Sequence, residues 1–227
     1  MISGRLRRTS ITTGPIPTFV SFGTAAGATT AITPGLPASI LTGDILLYFT
    51  ETANEAITVS GWTEVTNSPQ GTGTAGSSNA TRLTVFWVRY DSGSPPGTIS
   101  SDSGQHQYAV ILAFRGCVAT GNPWNITAGT TAATSTAVSI PGATTTNANC
   151  LVVAAFSSHI ATTVSLEANA DLGTLTEQFD GNTAQGNAGG LAVYTGTKAV
   201  AGAYGATTAT LASTAIQGLM TIALLPT

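Results

Sequence analysis

Side chains able to carry out acid–base, nucleophilic or metal chemistry are scarce here: ten acids, two histidines and two cysteines in 227 residues. Asp44, Glu51, Glu55, Glu64, Asp91, Asp102, Glu167, Asp171, Glu177 and Asp180 fall mostly at the ends of apolar runs and in polar loops. Glycoside hydrolysis needs two carboxylates across a cleft, about 5 to 9.5 Å apart. Glu64 and Glu177 occupy matching places in two similar segments, which points to a repeated structural role rather than an acid–base pair. His106 heads an apolar strand, where a histidine partly packed at the strand entrance is expected rather than a general base. His159 stands in the loop "SSHIATT", with no Cys, His or acid at metal-ligand spacing. Cys117 and Cys150 form neither a CxxC redox pair nor a zinc pattern and are expected to be free thiols, with a disulfide as the alternative. No serine lies in a GxSxG elbow, and no glycine run has the GxxxxGK[ST] form that cradles phosphate. These residues predict a protein that is not an enzyme and carries no cofactor or metal.

Binding chemistry is better represented. Trp62 and Trp87 are expected in cores, whereas Trp124 could present an aromatic face to a sugar or a partner. Arg89 and Arg115, each at the end of an apolar run, are expected to pair with Asp91 or another acid. Three of the seven basic residues, Arg5, Arg7 and Arg8, sit in the opening "MISGRLRRTS", while the remainder is acidic on balance. The following "TSITTGPIPT" is polar and broken by proline, so no signal peptide is expected. No run approaches the roughly 20 apolar residues of a membrane span. The product is therefore expected to stay in a cytoplasm until released, which makes the sequons at Asn79 and Asn125 accidental. A net charge of −3 does not suggest nucleic acid as a partner.

The elements that must position these residues are strands. Short apolar runs recur about every ten residues, among them "DILLYFT", "TRLTVFWVRY", "QYAVILAFRG", "CLVVAAF", "GGLAVYTGTK" and "LMTIALLP". None is a convincing helix with an i, i+3, i+4, i+7 stripe. Between them lie Gly- and Asn-rich loops such as "TNSPQGTGTAGSSN" and "DGNTAQGNAGG". With 7% charged residues and abundant Thr and Val, the chain is predicted to be all-β, built of antiparallel sandwiches.

The strands repeat. "TTAITPGLPASILTGDILLYF" (Thr29–Phe49) aligns with "STAVSIPGATTTNANCLVVAAF" (Ser135–Phe156), "GWTEV" at Gly61 with "GTLTEQF" at Gly173, "TRLTVFWVRY" at Thr81 with "GGLAVYTGTK" at Gly189, and "HQYAVILAF" at His106 with "IQGLMTIAL" at Ile216. The order is conserved, at offsets of roughly 106 to 113 residues, as expected of a duplication. Alternation puts Tyr108, Val110, Leu112 and Phe114 on one core face, matched by Gly218, Met220, Ile222 and Leu224. The reverse faces, Gln107 to Ala113 and Gln217 to Ala223, look mixed and are expected to be partly covered. The predicted organisation is a basic arm (1–16) and two tandem β-sandwich repeats, immunoglobulin-like or jelly-roll-like (17–117 and 118–227), meeting near Arg115–Asn125.

The pattern around Gly43, Asp44, Gly61, Trp62, Phe114, Arg115, Gly116, Asn122 and Pro123 resembles a tandem β-sandwich family of bacteriophage virion proteins and some bacterial surface proteins. The likeness spans nearly the whole chain after Pro17, and Trp124 and Asn125 depart from it by replacing an aliphatic residue and an acid. The resemblance implies a virion structural protein without catalytic residues. Its first expected role is decoration or cementing of the head shell, with the major capsid protein or another virion protein as partner. Arg5, Arg7 and Arg8 would contact an acidic shell surface, and the capsid context makes a homo-oligomer, such as a trimer, plausible. The alternative is a tail-fibre or receptor-binding module that takes glycans on Trp124 and the loops Asn67–Asn79 and Asp180–Asn187.

Overall fold

The computed structural model describes residues 14–92 and 101–227, so Arg5, Arg7 and Arg8 lie outside the described residues. Fifteen strands and no helix are found among the described residues. The first sheet holds β1 (Thr18–Phe22), β2 (Ala26–Ala28), β3 (Ile45–Thr52), β4 (Thr63–Glu64), β5 (Gln70–Thr72), β6 (Thr81–Arg89) and β7 (Gln107–Arg115). The second holds β8 (Trp124–Ile140), β10 (Cys150–Ser158), β11 (Val164–Ala168), β12 (Gly173–Thr183), β13 (Gly189–Lys198) and β15 (Thr207–Leu224). A small ribbon joins β9 (Ala143–Thr145) to β14 (Gly202–Tyr204). All pairings between these strands are antiparallel, and the fold is all-β and sandwich-like as expected, but each repeat forms one main sheet of a shared stack where a separate sandwich from each repeat was expected.

The strand order repeats along with the sequence. In the first sheet β7, β3, β6 and β4 are neighbours in that order; in the second, β15, β10, β13 and β12 are. The registers agree residue by residue. Ile45 lies opposite Phe114 on one side and Arg89 on the other, as Leu151 lies opposite Leu224 and Thr197. Glu64 opposes Phe86 and Glu177 opposes Tyr194, so the two glutamates are equivalent in space as well as in sequence. One alignment needs correction. Ending both first segments on phenylalanine pairs Phe49 with Phe156, but Phe49 opposes Val110 where Ala155 opposes Met220. Ala155 is therefore the counterpart of Phe49, and Phe156 points to the other face. A single-residue slip exchanges faces, and only the ladder fixes which residue of "AAF" points inward.

Each repeat supplies one sheet, and the sheets stack on a common core. Ile45, Leu47, Phe49, Leu83, Val85, Val110, Leu112 and Phe114 from the first meet Leu151, Val153, Leu191, Val193, Met220, Ile222 and Leu224 from the second. Each such side chain contributes about 1.5 to 3 kcal/mol on burial, so this layer is the main attraction between the halves. The segment Arg115–Asn125 is where the chain crosses between sheets; the halves touch over the whole inner faces. Rings add to the contact: Phe179 packs edge-on against Phe22 at 5.5 Å and tilted over Tyr108 at 6.2 Å.

The reverse faces are fully covered rather than partly. Ala109, Ile111 and Ala113 lie with Leu46, Tyr48 and Phe86 beneath Ile32, Ile57, Val59 and Trp62 from the repeat's own loops. In the second repeat the long β8–β15 ribbon supplies the cover: Val138, Ile140, Ala209 and Leu211 pack on Ala154, Phe156, Ala192 and Tyr194. The ribbon's register is interrupted between Thr210 and Gln217, where its two ends serve different layers.

Candidate functional site: a sealed polar cluster and an arginine-lined pocket

On β3 the inward positions read Ile45, Leu47, Phe49 and then Glu51, because successive strand residues alternate faces. The same parity carries the inward rows of β6 back to Thr81, of β7 back to His106, of β10 on to Ser157 and of β13 back to Gly189. Both repeats thus bring their last inward residues to one end of the shared core. His106 Nε2 lies 2.6 Å from Glu51 Oε2. Thr81 Oγ1 lies 2.9 Å from both Glu51 Oε1 and Ser157 Oγ, so it donates to the carboxylate and accepts from the serine. Glu51, Thr81, His106 and Ser157 are buried, with no more than 1% of the His106 side chain exposed. Burial pushes the Glu51 carboxyl up to about 7, against the opposing pull of His106 and Thr81. Glycine at 189 is required by the cluster, since a β-carbon there would run into Glu51 Oε2 and lie 2.6 Å from His106 Nε2.

A carboxylate–imidazole pair with hydroxyls nearby has the parts of a nucleophilic triad, but the connectivity differs. Both hydroxyls lie on the glutamate side, and His106 Nδ1 is buried with no hydrogen-bond partner among the described residues. In a triad the imidazole nitrogen remote from the acid faces the nucleophile. This arrangement can hold a proton between acid and imidazole and tie the sheets together; its complete burial shuts out a substrate. His106 is accordingly a wholly buried inter-sheet residue rather than one partly packed at a strand entrance. Glu51 belongs to neither a strand end exposed to water nor a loop. Both follow from inward parity, which could have been counted along "ILLYFTE" and "HQYAVILAF".

Near the opposite end of β3 and β6 the molecule opens into a pocket of about 290 Å³, bordered by Leu41, Asp44, Arg89, Arg115, Cys117 and Thr227. Here the residues of the "GD" and "FRG" motifs converge. Arg115 Nε donates to Asp44 Oδ1 at 2.9 Å and its Nη2 to Oδ2 at 2.7 Å, while Leu41 N also donates to Oδ2 at 2.8 Å. Arg115 therefore pairs with Asp44, which is 2% exposed, and not with Asp91. Gly43 and Gly116 flank the pair with φ of 94° and 79°, a left-handed backbone that favours glycine. Arg89 continues the inward row of Leu83, Val85 and Trp87; its Nη2 donates to Gly121 O at 3.2 Å. No family model, curated protein or solved structure matches this chain.

Trp62 is buried edge-on to Tyr48, at 5.7 Å. Trp87 and Trp124 stand edge to face at 5.5 Å, both partly buried against the shared core. The loops expected to join Trp124 in a glycan site are at the other end of the sandwich: Asn187 Nδ2 donates to Gly76 O at 3.1 Å, just before Thr81, whereas Trp87 is about 20 Å further along β6 at 3.3 Å per residue. The opening residues of the first loop lie nearer: Asn67 Nδ2 donates to Thr127 O at 2.8 Å, and Ser68 Oγ accepts from Val85 N at 2.9 Å. The two thiols are free and buried, and burial raises Cys117 to about 12 and Cys150 to about 11.

Proposed function

We propose that this chain is a non-enzymatic structural protein of a bacteriophage particle, and that it acts as a decoration protein on the outer surface of the head shell. The observation that carries this reading is the double-sheet body itself: two copies of one strand pattern packed on a single apolar layer, with the interior acid and imidazole sealed from solvent. Such a body offers partners a fixed shape and a surface, and keeps its acid–base groups for its own cohesion. The likeness of the Gly43–Asp44, Gly61–Trp62 and Phe114–Gly116 motifs to a virion β-sandwich family supports the same assignment. In this proposal Arg5, Arg7 and Arg8 form the arm that engages an acidic shell surface.

The test is binding of the purified chain to bare heads, measured by sedimentation with quantitative mass spectrometry. Saturable binding that weakens when residues 1–10 are deleted is the expected result. Recovery of the chain in tail fractions, with no saturation on heads, would contradict it. The tail-fibre alternative is weakened by the separation of Trp124 from the Gly76 and Asn187 loops.

A further inference from the structure

The loop over residues 184–188, which joins β12 to β13, lies against the Glu51–His106 pair. A β-carbon on Gly186 would run into Gln105 O and stand 3.3 Å from His106 Cβ, and Gly189, just past the loop, meets Glu51 Oε2 in the same way. The loop residues themselves are exposed or half-buried. Two side-chain bonds hold the tip: Asn187 Nδ2 donates to Gly76 O at 3.1 Å, and Gln105 Nε2 donates to Asn187 Oδ1 at 3.3 Å. Ala188 has a φ of 68°, in the left-handed region that a residue with a β-carbon enters at a cost. A thin, strained segment therefore covers a buried acid and imidazole.

Charge makes that cover sensitive to protons. Thr81 from β6, Ser157 from β10 and Gly189 from β13 face the pair without charge. Tyr108, opposite Glu51 on β7, holds its proton above the usual phenol range because it is buried and near Asp180. The flanking loops add a second acid, Glu55, whose Oε2 accepts from Gln105 N. Among the described residues the ion pairs are His106–Glu51 and Arg115–Asp44, so no lysine or arginine lies within ion-pair distance of Glu51. While the pair holds one proton it is neutral overall. Removing that proton leaves a negative charge between two sheets, and an uncompensated buried charge is relieved by admitting water. Burial keeps the proton on Glu51 up to about 7, so the charge appears as pH rises through neutrality. We infer that loop 184–188 is a proton-controlled flap, shut over the Glu51–His106 pair while the pair holds its proton and opened to hydrate the carboxylate when the proton leaves.

The test is hydrogen exchange of the full chain, read by mass spectrometry at pH 6 and pH 8.5 and corrected for the intrinsic exchange rate. Peptides covering 184–190 and 104–107 should lose about tenfold or more in protection at the higher pH, while the centres of β3 and β10 lose less. Glu51→Gln keeps the shape without the charge, and its flap should be equally protected at both pH values. Asn187→Ala removes both bonds at the tip without touching the pair; it should open the flap already at pH 6, and it keeps the inference falsifiable if Glu51→Gln folds poorly. Four results would overturn the inference: equal protection of the parent flap at both pH values, the same pH response in a folded Glu51→Gln chain, an Asn187→Ala flap as protected as the parent's, or a loss shared equally by β3 and β10.

Discussion

At the residue scale the distinctive feature is a carboxyl group held between two sheets. An unfolded glutamate releases its proton near 4.5, whereas Glu51 in the fold keeps it up to about 7. The fold thus favours the protonated form, and the resulting stabilisation is complete below pH 4.5 and lost as pH rises through 7. Urea midpoints measured from pH 4 to 8 should fall across that window in the parent chain and flatten there in Glu51→Gln; an unchanged slope in the variant would contradict this assignment. The thiols give a second expectation. Cys117 and Cys150 are buried and hold their protons to about 12 and about 11. Ellman's reagent at pH 8 should therefore leave the native chain unlabelled and titrate both thiols in denaturant.

At the element scale, strand parity made most of the inner core legible before any coordinates. "QYAVILAF" and "LMTIAL" announce their inward rows by alternation, and Val110, Leu112, Met220 and Ile222 lie where that count puts them. Parity also carried unread information, since Glu51 and His106 are in phase with Phe49 and Tyr108. What sequence could not supply was the partner across the sheets. His106 meets Glu51 from 55 positions away, and Ser157 arrives from the other repeat. Likewise Arg115 reaches Asp44 rather than the nearer acid, because β3 and β7 are neighbours in the sheet. The strand starts in this region are tightly fitted. Gly189→Ala should cost about 1–3 kcal/mol by forcing a methyl group into the Glu51–His106 pair, measurable by equilibrium denaturation. Leu112→Ala, which opens a cavity in the shared layer, should cost about 2–5 kcal/mol.

At the scale of the whole molecule, duplication and joining are distinct facts. Recurrence of β7-β3-β6-β4 as β15-β10-β13-β12 reflects the repeated sequence. The joining rests on inner faces that are apolar in both copies and so cannot be left to water. Polar ties reinforce that layer at its borders, from Asn67 to Thr127, Thr81 to Ser157 and Gly76 to Asn187. A body held together in this way keeps its surface in register, which the proposed decoration role requires. The most direct measurement is native-state hydrogen exchange of the central strands β3, β6, β7, β10, β13 and β15, followed across a denaturant series. Amides of both sheets should merge into one opening with a common free energy and denaturant dependence. Two separate openings, one for each sheet, would contradict a core shared between the repeats.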